Sequence, residues 1–363
     1  MKKSLETSND AWKQMVIKVG VIGVSGTGKS SFTNAIRGIT DEFEEGYAAV
    51  GETETTNIIT EYPHTKHKNL VICDIPGVGT PCFPKEKYLQ TIKVDTYDFF
   101  IIMTSKRFTE LDAWLASELK KRNRNFYFVR TKIDEDVSNA SRRKKKPETT
   151  VADIRADCEK KLHELDPSLK TTVFLVNNFD VNAFDFGKLT LQMVNDLPSM
   201  RRSAFVLSLS AISKELLEEK RKVLESRIAS IAFGAAAAMI PIPGTGILAD
   251  IVMIQNETMF YREQLGIDTT SMARVSKKHD MSVSELQPYY DVTSEKIMKD
   301  PTKFAEYLNL NTRWFFDCLH FINTFVGAGS FVCLAEAMNK ILDVCVEEAL
   351  YMNKKICDKI ASQ

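Results

Sequence analysis

An apolar run, Ile17–Ile22, passes directly into Gly23-Val24-Ser25-Gly26-Thr27-Gly28-Lys29-Ser30. This junction constrains the fold more than any other feature. An octapeptide of the form G-x-x-x-x-G-K-[ST] between a strand and a helix turns its backbone N–H groups inward around a phosphate. Gly23, Gly26 and Gly28 permit that turn, Lys29 reaches β- and γ-phosphates, and the Ser30 hydroxyl suits Mg²⁺. The helix that follows adds its positive N-terminal end. The motif therefore predicts a parallel sheet with strand–loop–helix units.

The rest of the first half agrees. Further apolar runs lie at Leu70–Cys73, Phe99–Met103, Phe126–Val129 and Thr172–Val176, with Ile58–Tyr62 as an edge candidate. They are continuous, as strands buried on both faces are. Helix candidates between them are Lys29–Arg37, Leu111–Arg122, Val151–Glu164 and Phe186–Asp196. Asp196-Leu197-Pro198-Ser199 breaks the last of these and marks a boundary. Beyond it helical spacing takes over, in Ile212, Leu216, Val223, Ile228 and Ile231, and again in Leu334, Met338, Ile341, Cys345, Ala349, Met352 and Ile356. The expected fold is an α/β P-loop GTPase domain, a mostly parallel sheet with helices on both faces, plus an all-α helical domain. The expected boundaries are 1–15 for an N-terminal helical segment around Trp12 that packs on the helical domain, 16–198 for the G domain and 199–363 for the helical domain.

Two later motifs narrow the ligand. Asp74-Ile75-Pro76-Gly77 follows a strand. There a carboxylate can hold Mg²⁺ through water, and the Gly77 N–H can sense a γ-phosphate. Alone the tetrapeptide is a common turn; downstream of a phosphate loop it reads as a switch. Thr131-Lys132-Ile133-Asp134 also closes a strand. Asp134 can accept hydrogen bonds from guanine N1–H and N2–H₂, a donor pair adenine lacks, at about 1.5–3 kcal/mol each. The Lys132 stem can cover the base. Thr131 stands where guanine motifs ordinarily carry Asn, and its shorter side chain is expected to tie base loop to phosphate loop less well. Between the first two motifs, Thr53, Thr55 and Thr56 each offer the hydroxyl and N–H a nucleotide switch requires. Thr56 is the choice for Mg²⁺; the bland alternative is a solvated loop threonine.

Hydrolysis is less well marked. Val78 follows Gly77 where many GTPases place a water-orienting Gln soon after the turn. Glu54 is the carboxylate of suitable reach, against the bland reading of a surface Glu in a polar loop. Lys29 and Glu54 are thus the catalytic candidates.

Composition excludes some classes. Lys plus Arg and Asp plus Glu number 48 each, so nucleic acid is not expected as a partner. Seven cysteines without a C-x-x-C pair argue against a disulfide framework and for a reducing cytosol. The expectation is a cytoplasmic protein with no secretory leader, no myristoylation at Lys2 and no C-terminal prenylation box.

Together these residues resemble the immunity-related GTPases, the interferon-inducible cell-autonomous resistance proteins of vertebrates. The similarity lies in Gly28-Lys29-Ser30-Ser31-Phe32, in Asp74–Gly79 continuing to Phe83-Pro84, in Tyr97–Ile102, in Phe126–Lys132 and in Asp196-Leu197-Pro198. In the second half it is mainly helical character and Phe260-Tyr261 through Leu265-Gly266. Thr131 and Val78 are usual in that family. The resemblance implies a GTP/GDP site that includes Ser31, with Mg²⁺ as cofactor. It also implies a helical domain built from both chain ends, and nucleotide-dependent self-association, often on membranes of pathogen-containing vacuoles. Lys29 in place of Met fits the effector-like members. In the last base loop the family often shows Ser-Asn; here Val176-Asn177-Asn178 stands instead, with Asn177 taken as the base contact. The alternative function is a GTP-switched scaffold or tether with negligible hydrolysis.

Two segments bear on membranes. Phe233–Ile254 is the most apolar stretch, but Pro241-Ile242-Pro243-Gly244 splits it and Asp250 interrupts it. Two short buried helices joined by a turn is the preferred reading, over a re-entrant or interfacial segment. Arg142-Arg143-Lys144-Lys145-Lys146 reads as a solvated loop run, with phospholipid headgroups or an acidic partner as the alternative. Peripheral contact with intracellular membranes is thus an expectation carried by the resemblance.

Overall fold

The computed structural model describes residues 14–50, 58–80, 82–169, 172–209, 213–238, 246–288, 293–299 and 328–361. Trp12, Thr53, Glu54, Thr55, Thr56, Ile212, Ile240 and Pro241–Gly244 lie outside them. The chain divides into two compact units, one of them Lys13–Leu209, the other holding the helices beyond Ser210.

The first unit is built on six strands: β1 (Ile17–Gly23), β2 (Thr60–Pro63), β3 (Leu70–Pro76), β4 (Phe99–Thr104), β5 (Asn125–Arg130) and β6 (Val173–Leu175). Their order is β2-β3-β1-β4-β5-β6. Only the edge strand β2 runs antiparallel to its neighbour; the other pairings are parallel. Its helices are α1 (Lys29–Ile36), α2 (Tyr88–Thr91), α3 (Glu110–Lys121), α4 (Ile133–Ser141), α5 (Pro147–Leu165), α6 (Phe186–Asp196) and α7 (Ser199–Ser208). Successive strand residues face opposite sides of the sheet. On one side Phe100, Ile102 and Phe128 join Ala116, Leu119 and Leu162 of α3 and α5 in one core. On the other, Phe99 meets the Phe205 ring of α7 at 5.7 Å, and Phe32 of α1 meets Phe186 of α6 at 5.3 Å. The Phe205 contact explains why α7, which follows the Pro198 break, belongs to the sheet unit.

Two local departures from the sequence reading occur beside the base motif. The run Arg142–Lys146 does not follow a plain loop: α4 begins at Ile133, with Asp134, Glu135 and Asp136 in its first turn. Acidic side chains there complement the helix dipole, so the base motif itself starts a helix. α5 begins earlier than Val151 because Pro147 occupies its first turn, where its missing N–H costs nothing.

The second unit contains α8 (Lys214–Ala238), α9 (Gly246–Gln264), α10 (Thr269–His279), α11 (Val283–Leu286), α12 (Ser294–Lys299) and α13 (Ala328–Ala361). The buried face of α8 is Leu216, Lys220, Leu224, Ile228 and Ala232. Val223 and Ile231, expected on that face, are half-buried at its flank. The four-residue repeat is masked in the sequence by a lysine: Lys220 is 1% exposed, and its Nζ donates to the Gln264 carbonyl at 2.6 Å. The α13 stripe Met338, Ile341, Cys345, Ala349, Met352 and Ile356 is buried as expected. Of the apolar stretch Phe233–Ile254, the described residues belong to two helices, the end of α8 and the first half of α9, which at 25 and 19 residues are longer than the two short helices expected; the turn between them lies outside the described residues. Among the described residues no helix is long and apolar enough to cross a membrane.

Candidate functional site

Parallel pairing gathers the loops that carry the motifs. The register sets Gly23 beside Pro76, Thr104 beside Arg130 and Arg130 beside Leu175. The carboxyl ends of β1, β3, β4, β5 and β6 therefore open on one edge, and β1 lies between β3 and β4 where the chain order reverses. In open α/β sheets this is where ligands bind.

The phosphate loop is held from within. Gly26 and Gly28 have φ of 77° and 84°, left-handed values that an L side chain adopts at a cost. Gly28 caps α1. The Thr27 hydroxyl donates to the Val24 carbonyl at 2.8 Å. Lys29 is not solvent-facing as a free phosphate contact would be. It folds back over the loop, is 7% exposed, and donates to the Val24 carbonyl at 3.4 Å. Burial lowers its pKa, and Asp74 only partly restores it.

Asp74 sits under the loop at the end of β3 and is 2% exposed. Its Oδ2 accepts from the Ser30 hydroxyl at 3.4 Å, and its Oδ1 lies 4.0 Å from Lys29 Nζ. Oδ1 is buried and has no hydrogen-bond donor. Burial raises its pKa, against the pull of Lys29 and Ser30. A buried carboxylate oxygen lacking a donor, next to a hydroxyl, is a hard-oxygen pair that fits Mg²⁺. That ion takes one or two protein oxygens and leaves its other positions to water and substrate phosphate. The described residues contain no cluster of three or more His, Cys, Asp or Glu that could cage a metal. Gly77 packs against the loop so closely that a Cβ would lie 3.3 Å from the Gly23 carbonyl oxygen. The preceding carbonyl, of Pro76, accepts from the buried Tyr88 hydroxyl at 2.8 Å. Val78 is partly buried against the apolar core.

The base side joins the same edge. Lys132 has φ of 60° and caps α4, which sets Asp134 in the first turn, half-buried. The short Thr131 hydroxyl does span the gap: it donates to the Thr27 carbonyl at 2.8 Å, from a fully buried position. In the last loop the two asparagines divide. Asn177 Oδ1 accepts from the Phe179 N–H at 2.9 Å and shapes its own turn. Asn178, not singled out from the sequence, donates from Nδ2 to the Gly28 carbonyl at 3.0 Å. Thr131 and Asn178 thus pin both base loops to the phosphate loop. No sequence signal separates Asn178 from Asn177, because the choice depends on which residue leaves β6 facing Gly28. Thr56 and Glu54 lie outside the described residues.

The sequence profile of the interferon-inducible GTPases matches residues 3–356. The chain belongs to the interferon-inducible GTPase family. It is accordingly a GTPase, a hydrolase acting on GTP. Among Mus musculus relatives of this family, T-cell-specific guanine nucleotide triphosphate-binding protein 2 is 37% identical over 295 residues, covering 80% of this chain and 68% of that protein. Interferon-gamma-inducible GTPase 10 is 39% identical over 275 residues, 75% of this chain and 65% of its own length. Interferon-inducible GTPase 1 is 35% identical over 304 residues, 82% and 71% respectively. The chain thus spans about two thirds of the length of these relatives.

Proposed function

We propose that the strand-end site binds GTP with Mg²⁺ and hydrolyses it to GDP in a cycle coupled to self-association. The observation that carries this is the Lys29–Asp74–Ser30 cluster, whose buried Asp74 Oδ1 has no donor. In this reading Gly23, Gly26, Gly28 and Ser31 lie along the phosphates. Lys29 neutralises the β- and γ-phosphate oxygens, Gly77 meets the γ-phosphate, and Ser30, Asp74 and Thr56 hold the metal. When bound, Mg²⁺ offsets charge on the β- and γ-phosphate oxygens. Asp134 reads guanine, Lys132 covers it, and Thr131, Asn177 and Asn178 fix the base loops. Desolvated Lys29 suits this role, because a charge held away from water acts more strongly on a phosphate.

A lone molecule offers few groups to orient the attacking water, since Val78 packs on the core. Glu54 is the proposed positioning carboxylate, set when a second copy docks over the nucleotide. Large apolar side chains exposed beside the site, Val24 at 58% and Phe179 at 73%, support such docking. The setting is interferon-induced cell-autonomous defence at membranes of pathogen-containing vacuoles, where the protein acts from the cytoplasm.

Phosphate release measured with GTP and with ATP across a protein concentration series tests this. Specific activity should rise with concentration, with GTP only. Glu54→Ala should lower kcat by roughly 10²–10⁴-fold while binding persists. A flat, negligible rate with intact GTP binding would establish instead the GTP-switched scaffold, the reading Val78 favours.

A further inference from the structure

The sheet unit carries a second polar cleft, separate from the residues assigned to the nucleotide. It has a volume of about 380 Å³ and lies between the loop after β4, the turn after α4 and the side of α5. That volume falls within the range of small-ligand clefts, about 300–1,000 Å³. Cations dominate its lining: Lys106, Arg107, Arg130, Arg143 and Lys145.

The acids there are already engaged. Asp136 pairs with Arg130 at 2.6 Å, Asp153 with Lys145 at 2.7 Å, and Asp157 with Lys161, which is not a lining residue. This leaves the exposed side chains of Lys106, Arg107 and Arg143 with no acidic partner among the described residues. Five cations against three acids leave the lining with a surplus of two positive charges, which draws an anion. At the cleft wall Arg130 is 6% exposed, and its Nε–H is buried without an acceptor. Its guanidinium otherwise donates to the Ser105 and Thr131 carbonyls and to Asp136. A guanidinium in the cleft wall, with two exposed guanidinium groups and an ammonium on the same lining, suits a group with several phosphates. Arginine forks match phosphate oxygens in pairs.

We propose that this cleft is a binding site for a compact, multiply phosphorylated small molecule, held by Lys106, Arg107 and Arg143 against Arg130. It is built into the start of the basic run Arg142–Lys146, and it gives part of that run a role that solvation alone does not.

Inositol hexakisphosphate is the probe. Its binding to the full chain is measured by calorimetry with the nucleotide site saturated by GDP and Mg²⁺. The wild type should bind at one site. Lys106→Glu/Arg107→Glu/Arg143→Glu should bind at least tenfold more weakly, with an unchanged melting temperature showing that it folds. Arg142→Glu/Lys144→Glu, which alters the same basic run outside the cleft, should bind as the wild type does. Equal loss in both variants would reduce the effect to diffuse attraction and overturn the site. Binding lost in Lys29→Ala but kept in the cleft variant would place the anion on the phosphate loop and overturn it as well. A second arm uses vesicles carrying phosphoinositides. Cleft-dependent vesicle binding assigns the source to a lipid headgroup, and cleft-dependent binding of the free probe alone assigns it to a soluble molecule. Capture of a phosphopeptide with no binding of the inositol phosphate would overturn the assignment.

Discussion

The two units place their charged side chains in opposite ways. In the sheet unit the chemistry-bearing residues sit on loops at strand ends, where Asp74 Oδ1 is buried without a hydrogen-bond donor. In the helical unit the buried charges lie within helices and are satisfied. The Arg262 guanidinium donates to Ser294 and pairs with Glu348 at 3.6 Å. Glu348 in turn accepts from the Ser294 N–H and hydroxyl, each at 2.6 Å. Arg227 pairs with Glu257 at 2.9 Å. A buried network complete in itself lends specificity to packing. A buried carboxylate left incomplete is tuned for something that binds. The comparison therefore predicts that substitutions at Asp74 and the loops around it change ligand binding, and that those in the Arg262–Ser294–Glu348 network change stability.

The largest effect should come from the base reader. Asp134→Asn turns one acceptor into a donor that opposes the guanine N–H pair and suits the C2 carbonyl of xanthine. Two charge-assisted bonds at about 1.5–3 kcal/mol each correspond to roughly 10²–10⁴-fold. GTP affinity should fall on that scale, with XTP gaining, in competition against a fluorescent nucleotide. Persistent GTP preference would remove Asp134 from the site. Lys29→Ala comes next. It should weaken triphosphate binding by roughly 10²-fold, the scale of one strong phosphate contact or slightly more. Because burial already disfavours the Lys29 ammonium, the melting temperature without nucleotide should scarcely fall. A large loss of stability with unchanged affinity would make Lys29 a packing residue and break the contrast between units.

Legibility in the sequence follows the same division. β1, β3, β4 and β5 were readable because central parallel strands are continuous apolar runs, and the phosphate loop because its chemistry fixes residue types at fixed spacing. α4 was not readable as a helix, since Ile133–Ser141 carries three acids and little apolar periodicity; its start is fixed by the left-handed turn at Lys132. Lys220 escaped because a buried lysine reads as a solvent-facing one until its carbonyl partner, Gln264, is brought close by folding. Asn178 escapes for a similar reason: its partner is a backbone carbonyl, which no sequence pattern marks. Sequence shows the groups that meet a ligand better than those that hold the loops in register.

Thr131→Val tests that holding role at smaller scale. The replacement is nearly isosteric and deletes the bond to the Thr27 carbonyl. A neutral hydrogen bond contributes about 0.5–1.5 kcal/mol. GDP dissociation should therefore quicken by about two- to tenfold, measured by release of a labelled nucleotide, with base preference intact. An unchanged rate would mean that Asn178 alone keeps the base loops on the phosphate loop.

The smallest expected effect is a slope with pH, and its sign differs between two buried acids, Asp185 of the sheet unit and Glu348 of the helical unit. Burial pushes the Asp185 carboxyl up, but the Leu175 N–H and the Arg155 and Lys188 cations outweigh it and hold the group below its ordinary value. Arg155 lies 2.6 Å away. Glu348 is held above its ordinary value by burial, which Ser294 and Arg262 offset only in part. A depressed carboxyl contributes stability present above its unfolded pKa and lost as pH falls through the folded one. A raised carboxyl does the reverse: its burial cost is present at neutral pH and is relieved as it takes up a proton. Melting temperatures of the wild type, Asp185→Asn and Glu348→Gln, compared from pH 7 down to about pH 3, below the ordinary carboxyl range, separate the two. The advantage of the wild type over Asp185→Asn should shrink on acidification. Its standing against Glu348→Gln should improve, because protonated Glu348 and the amide then carry the same charge. Slopes of the same sign in both variants would mean that the two buried acids are handled alike, and the contrast drawn between the units would not extend to their electrostatics.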